Sequence, residues 1–162
     1  MDNEFDIFNA RILIVDDQPV NVALLEQLLQ ETGYQQVSST MAPQTVCALH
    51  EANNYDLILL DLKMPLMDGF AVMEGLKKSP HHTYLPVIVL TAEPAHKLRA
   101  LQAGAKDFIS KPFDLLEVKT RIYNMLEVRM LYQKLENYSK LLEYATRQNT
   151  DALSSVKSPF QT

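Results

Sequence analysis

The chain has 162 residues, 47% of them hydrophobic, and a formal net charge of −5. This is material for one domain with an appendage, and the acidic balance argues against a nucleic-acid binder, which would carry a basic face. No apolar run approaches the roughly 18 residues of a membrane span, the opening MDNEFDIFNAR lacks the features of a secretory signal, and one cysteine, Cys47, excludes an internal disulfide framework. The expected protein is soluble and cytoplasmic, with no direct nucleic-acid or membrane partner.

After a lead over residues 1–9, Arg11–Val15 (RILIV) is a continuous apolar run ending in Asp16-Asp17. Continuous apolar runs mark strands buried on both faces, as in a parallel sheet. The segment PVNVALLEQLLQETG opens with Pro19 and closes on Gly33, the expected asymmetry of helix ends, with Val22, Leu25, Leu28 and Leu29 as its inner stripe. One of the two aspartates before it is expected to cap this helix. A weaker strand is predicted over residues 36–39 and a second helix from Pro43. DLILL then ends in Asp61, and GFAVMEGLKKS follows Asp68, a good N-cap, with Pro65 and Gly69 turning the loop between. PVIVL ends in Thr91, PAHKLRALQAG closes on Gly104, and a short strand is predicted over residues 107–109. Asp114 at N-cap with Glu117 three residues later is a capping-box pattern for the fifth helix.

Strands alternating with helices give an α/β fold: a (βα)5 doubly wound parallel sheet, flavodoxin-like, of order 2-1-3-4-5. The expected domain covers residues 10–126. No Pro or Gly interrupts residues 113–158, and Val128, Leu131, Leu135, Tyr138, Leu142 and Ala145 recur at spacings of 3 and 4. An extended C-terminal helix is therefore predicted over residues 127–150, with a heptad-like seam that could pack on its own domain or pair with a second copy as a coiled coil. Residues 151–162 are polar and read as a flexible tail.

In open α/β sheets, ligands bind at the carboxyl ends of the strands. Those ends carry Asp16, Asp17, Asp61 and Thr91, with Lys111 just past the fifth strand. Neighbouring carboxylates repel unless a cation sits among them, and oxygen-only ligands suit Mg²⁺, with Mn²⁺ as a substitute. A carboxylate can attack phosphorus and form an acyl phosphate. Asp61, alone at a central strand's end, is the expected nucleophile, with Lys111 neutralising charge and Thr91 donating to a phosphoryl oxygen. Taken singly, Asp61 would be a turn former, Lys111 a surface lysine, Phe108 a core residue and Cys47 a small buried residue; no metal is expected at His81 and His82. An FMN-binding flavodoxin would need a phosphate loop where Asp16-Asp17 stand, and a phosphate-independent scaffold of the same fold would lack one of the five rim residues.

The stretches ILIVDDQP, DLILLDLKMPLMDGF, PVIVLTA and GAKDFISKPF, in this order over about residues 10 to 125, resemble the receiver domain of two-component response regulators. The resemblance implies that Asp61 takes a phosphoryl group from a histidine kinase or phosphotransfer protein. It implies Mg²⁺ on Asp17, on Asp16 partly through water, on Asp61 and on the backbone carbonyl of Lys63. Thr91 and Lys111 match the family's switch hydroxyl and lysine, Phe108 its switch aromatic, and Lys111-Pro112 its cis peptide bond. Lys63 and Glu93, two residues after Asp61 and Thr91, are expected at the mouth of the site, where they would approach each other. No enzymatic activity is expected beyond self-phosphorylation and slow dephosphorylation. The output would run through the face of the fourth helix, fifth strand and fifth helix and the C-terminal helix, which is expected to form a homodimer. The run KPFDLLEVKTRIYNMLEVRMLYQKL resembles the junction in cyclic-di-GMP phosphodiesterase (HD-GYP type) regulators. The output domain is then either missing from a fragment, or the chain is a stand-alone interaction module.

Overall fold

A computed structural model describes residues 6–64, 67–79 and 84–155. The turn at Pro65, the His81-His82 pair and both chain ends lie outside the described residues. Five strands, β1 (Arg11–Val15), β2 (Gln36–Thr40), β3 (Leu57–Asp61), β4 (Val87–Thr91) and β5 (Asp107–Ser110), alternate with α1 (Pro19–Thr32), α2 (Val46–Asn53), α3 (Gly69–Lys77), α4 (Ala95–Gln102) and α5 (Leu115–Ser155). All neighbouring strands pair in parallel, in the order β2-β1-β3-β4-β5. This is the doubly wound sheet expected from the apolar runs.

The alternation of side chains along each strand splits the core into two layers. Ile12, Ile14, Leu57, Leu59, Ile88, Leu90 and Ile109 pack with Leu25 and Leu29 of α1 and with Val118, Ile122 and Leu126 of α5. Leu13, Val15, Ile58, Leu60, Val87 and Val89 face Val46 of α2, Val72, Met73 and Leu76 of α3 and Ala100 of α4. β3 and β4 are buried along their whole length, which explains their unbroken apolar sequence. β2, at one edge, is only partly covered, and its polar QVSST reads accordingly as the weaker strand.

Helix ends follow the local chemistry, with two departures from the sequence reading. Pro19 begins α1 and Gly33 ends it in the left-handed region at φ 114°, and Asp68 Oδ1 accepts the Ala71 N–H at the start of α3. Neither Asp16 nor Asp17 caps α1. Gln18 is the N-cap without a side-chain bond, and Asp16 Oδ1 accepts the Gln18 N–H 2.9 Å away, before the helix begins. The capping box at α5 is half made. Asp114 Oδ1 accepts from the N–H groups of Leu116 and Glu117, but the Glu117 carboxylate turns to Arg121 Nε at 3.0 Å. Pro43–Thr45 form a 3₁₀ turn before α2.

The chain divides into two compact units, Met1–Met130 and Leu131–Thr162. In the first, Ile7–Asn9 form a 3₁₀ turn inside the residues read as a lead. The second contains the rest of α5, which stays helical through Ser155 and so takes in residues assigned to a flexible tail. At the amino end of the sheet, Asp56 is buried and doubly held. Its Oδ2 accepts the Arg11 N–H at 2.9 Å, and its Oδ1 accepts from Arg129 Nε at 3.3 Å. Arg129, also buried, donates to the Tyr84 carbonyl. A buried carboxylate stripped of such partners costs several kcal/mol.

At the opposite end of β3, α3 begins against the strand's own backbone. A Cβ on Gly69 would stand 2.8 Å from the Asp61 carbonyl oxygen and 3.0 Å from Leu62 Cα. Gly69→Ala is therefore expected to lower stability by about 1–3 kcal/mol, read as a lower urea midpoint at unchanged slope. An unchanged midpoint would mean that the loop absorbs the methyl group freely.

Candidate functional site

Parallel strands in this order bring the ends of β1, β3, β4 and β5 to one rim. One carboxylate oxygen from each of Asp16, Asp17 and Asp61 lies within 4.8 Å of the others. Asp16 and Asp61 are buried, and Asp17 is half-buried. Lys111, just after β5 and joined to Pro112 by a cis peptide bond, reaches back across the sheet. Its Nζ donates to Asp16 Oδ2 at 3.1 Å and lies 3.3 Å from Asp61 Oδ1. Asp61 Oδ1 also accepts the Lys63 N–H at 3.2 Å.

One ammonium among three carboxylates leaves the rim short of positive charge. Asp17 Oδ1 is buried without a hydrogen-bond partner among the described residues. Buried polar atoms are normally satisfied, and an orphaned oxygen on one of three neighbouring carboxylates is what a hard divalent cation would complete. The donor set, oxygen alone, fits such an ion. Burial raises the Asp61 carboxyl from its ordinary 3.8 to about 6; Lys111 opposes the rise, and Asp16 adds to it.

Thr91 is buried at the end of β4. Its hydroxyl accepts the Glu93 N–H at 3.0 Å and contacts the Glu93 carbonyl at 3.4 Å, which ties it to the loop before α4. The Glu93 carboxylate forms an ion pair with Lys63. That bond, more than any other influence, lowers the Glu93 pKa. Sequence reasoning missed the third member of this group. His96 Nε2 lies 3.2 Å from Glu93 Oε2, three residues along the chain, across the turn that leads into α4, where the His96 N–H donates to the Glu93 carbonyl. Phe70 packs edge-on to the His96 ring and carries Arg99 3.8 Å above its own. Phe108, on β5, is half-buried. Lys97 of α4 lies 4.5 Å from its ring centroid and Arg121 of α5 lies 5.7 Å away.

The sequence matches the response regulator receiver domain family over residues 12–123. The chain belongs to this family. Among curated relatives, response regulator PleD of Caulobacter vibrioides is 37% identical over 129 residues, which cover 78% of this chain and 28% of PleD. A probable cyclic di-GMP phosphodiesterase of Vibrio cholerae is 31% identical over 140 residues, covering 85% of this chain and 31% of the relative. The chain thus spans less than a third of the length of either. Among solved structures, a putative response regulator from Chloroflexus aurantiacus superposes with a TM-score of 0.69 at 28% identity, covering 73% of this chain and 98% of that one. The receiver domain of sensor histidine kinase PA1611 from Pseudomonas aeruginosa, solved with a magnesium ion coordinated in its active-site cleft, gives 0.67 at 29%, covering 74% and 98%. The receiver is a phosphorylation-dependent signalling domain of two-component systems, and no helix among the described residues is long and apolar enough to cross a membrane.

The pH behaviour of this receiver follows from Asp61. A carboxyl whose folded pKa lies above its unfolded value holds a proton between about pH 4 and 6 that the unfolded chain has released. Its contribution to stability therefore falls as pH rises through that window. Relative to wild type in EDTA, Asp61→Asn is expected to be more stable by about 3 kcal/mol at pH 7 and no more stable below pH 4, by urea unfolding across pH. A pH-independent difference would show that ionised Asp61 carries no such cost.

Proposed function

We infer that Asp61 is the phosphoacceptor, receiving its phosphoryl group from the phosphohistidine of a histidine kinase or phosphotransfer protein. The observation that carries this reading is the buried Asp61 carboxylate, held by Lys111 beside Asp16 and an unpartnered Asp17 oxygen. In the transfer, an Asp61 oxygen bonds to phosphorus as the phosphorus–nitrogen bond to the donor imidazole breaks, and the imidazole leaves with that electron pair. Asp16, Asp17, Asp61 and the Lys63 carbonyl would hold Mg²⁺, or Mn²⁺ in its place. The ion would supply positive charge for the phosphoryl oxygens. Lys111 supplies a second positive charge, already within 3.3 Å of Asp61.

The Thr91 hydroxyl is the group that answers the phosphoryl oxygens. Turning toward them would loosen its contacts with Glu93 and so reach the loop before α4. Phe108, between cations from α4 and α5, is the switch aromatic of the α4-β5-α5 face. The output passes through that face and the C-terminal helix, which pairs with a second copy. It acts in the cytoplasm on an output domain or a separate partner, and the chain has no enzymatic activity beyond its own phosphorylation and slow dephosphorylation. PleD and the Vibrio cholerae phosphodiesterase, both far longer than this chain, support an output domain.

Incubation with acetyl phosphate or phosphoramidate and Mg²⁺ is expected to add one phosphoryl group by intact mass, and Asp61→Asn to abolish it. No gain with either donor would overturn the assignment. The Lys63–Glu93 pair stands at the mouth, and it partly screens the acyl phosphate from water. Lys63→Ala and Glu93→Ala are each expected to shorten the phosphate half-life severalfold. An unchanged half-life would leave the pair no such role.

A further inference from the structure

The exposed face of α5 beyond Met130 holds its heptad further than the apolar residues alone reveal. Continuing the spacing of 3 and 4 from Leu131 gives Leu135, Tyr138, Leu142, Ala145, Asn149 and Ala152. All seven positions lie within one unbroken helix and are exposed; Leu131 and Leu135 are each 65% exposed. In heptad terms Leu135, Leu142 and Asn149 are a positions, and Leu131, Tyr138, Ala145 and Ala152 are d positions. Charged side chains avoid this seam. Glu136, Lys140, Glu143, Arg147 and Asp151 all fall at b, c or f, on the outer face, where Lys140 and Glu136 pair at 3.4 Å. At the flanking e and g positions the one charge is Lys134.

We propose that this segment forms a parallel, in-register two-stranded coiled coil with a second copy of the chain, and that Asn149 sets its orientation and register. The proposal rests on the pairing role given to the helix above. Asn149 names the occupant. An amide in an otherwise apolar seam needs a partner offering both a donor and an acceptor. The same residue on an identical, parallel and unshifted helix supplies both, and a buried a-position Asn is a known determinant of register and two-strandedness. In one antiparallel pairing that aligns six seam positions of each helix, Asn149 meets Leu131 and its amide is left unsatisfied, a costly outcome; in the other it meets Tyr138, whose single hydroxyl matches only part of the amide's donors and acceptor.

The test uses the full chain on a Cys47→Ala background. Light scattering is expected to give about twice the chain mass. Under mild oxidation, Tyr138→Cys and Ala145→Cys are each expected to crosslink to themselves. Mixtures of Leu135→Cys with Ala145→Cys chains and of Leu135→Cys with Ala152→Cys chains, positions that meet in the two antiparallel pairings, are each expected to give no mixed disulfide. Asn149→Leu is expected to relax this choice, so that a mixed disulfide forms or species larger than a dimer arise. A monomer would overturn both the pairing role and this proposal. A dimer that forms either mixed disulfide, or an Asn149→Leu chain unchanged in both readouts, would overturn the proposal alone. Phosphoryl uptake on the same samples, read by intact mass, reports on the receiver reading independently.

Discussion

Everything at the rim depends on one ammonium spanning two buried carboxylates. Lys111 reaches Asp16 across 95 positions of sequence, and it can do so because the fold sets β1 beside β3, with β4 and β5 following on the same side. Without that charge, Asp16 and Asp61 would face each other in a setting that already favours protonated Asp61. The charge is enough to hold the pair and too little to satisfy the trio, since Asp17 keeps an unpartnered oxygen. The site is therefore assembled yet unsaturated. That state suits a domain which must accept a cation and a phosphoryl group, both of which later leave.

Around this charge cluster, the polar contacts run outward in one direction. Thr91 holds the backbone of Glu93, Glu93 holds Lys63 and meets His96, and His96 packs on Phe70. The chain of contacts joins the loops after β3 and β4 with the first turns of α3 and α4. Thr91 is buried and Phe70 packs against one apolar layer, but the Lys63, Glu93 and His96 side chains between them belong to neither layer and can rearrange without repacking them. A two-state signalling element needs such a region, in which alternatives differ by a few polar contacts rather than by core volume.

The fold was legible because burial on both faces leaves an unmistakable record. RILIV, DLILL and PVIVL contain almost nothing but apolar side chains, and the structure accounts for this by covering both sides of the sheet. The rim acids and Lys111 were legible because each interrupts or follows such a run. Less visible were contacts whose partners are fixed only by tertiary placement. Arg129 sits among apolar residues of α5 and looks like an isolated surface charge in the sequence; only the approach of α5 to the amino end of β3 gives it Asp56. Local rules also erred where a competitor was near. Glu117 has Arg121 one turn away, and that pair took the carboxylate from the capping box.

β3 ends on one acid and follows directly on another, and the two are anchored differently. Asp56 is fixed by the Arg11 backbone and Arg129, and Asp61 is set against Lys111 five residues on. The four leucines and isoleucines between them work as a ruler as well as a core. Losing any one of them in frame would leave a strand equally greasy and equally able to pair. It would also draw the second acid back by about 3.3 Å and turn it to the opposite face of the sheet. The spacing between the two aspartates is therefore a length constraint on the gene, stricter than the constraint on which apolar residues fill it.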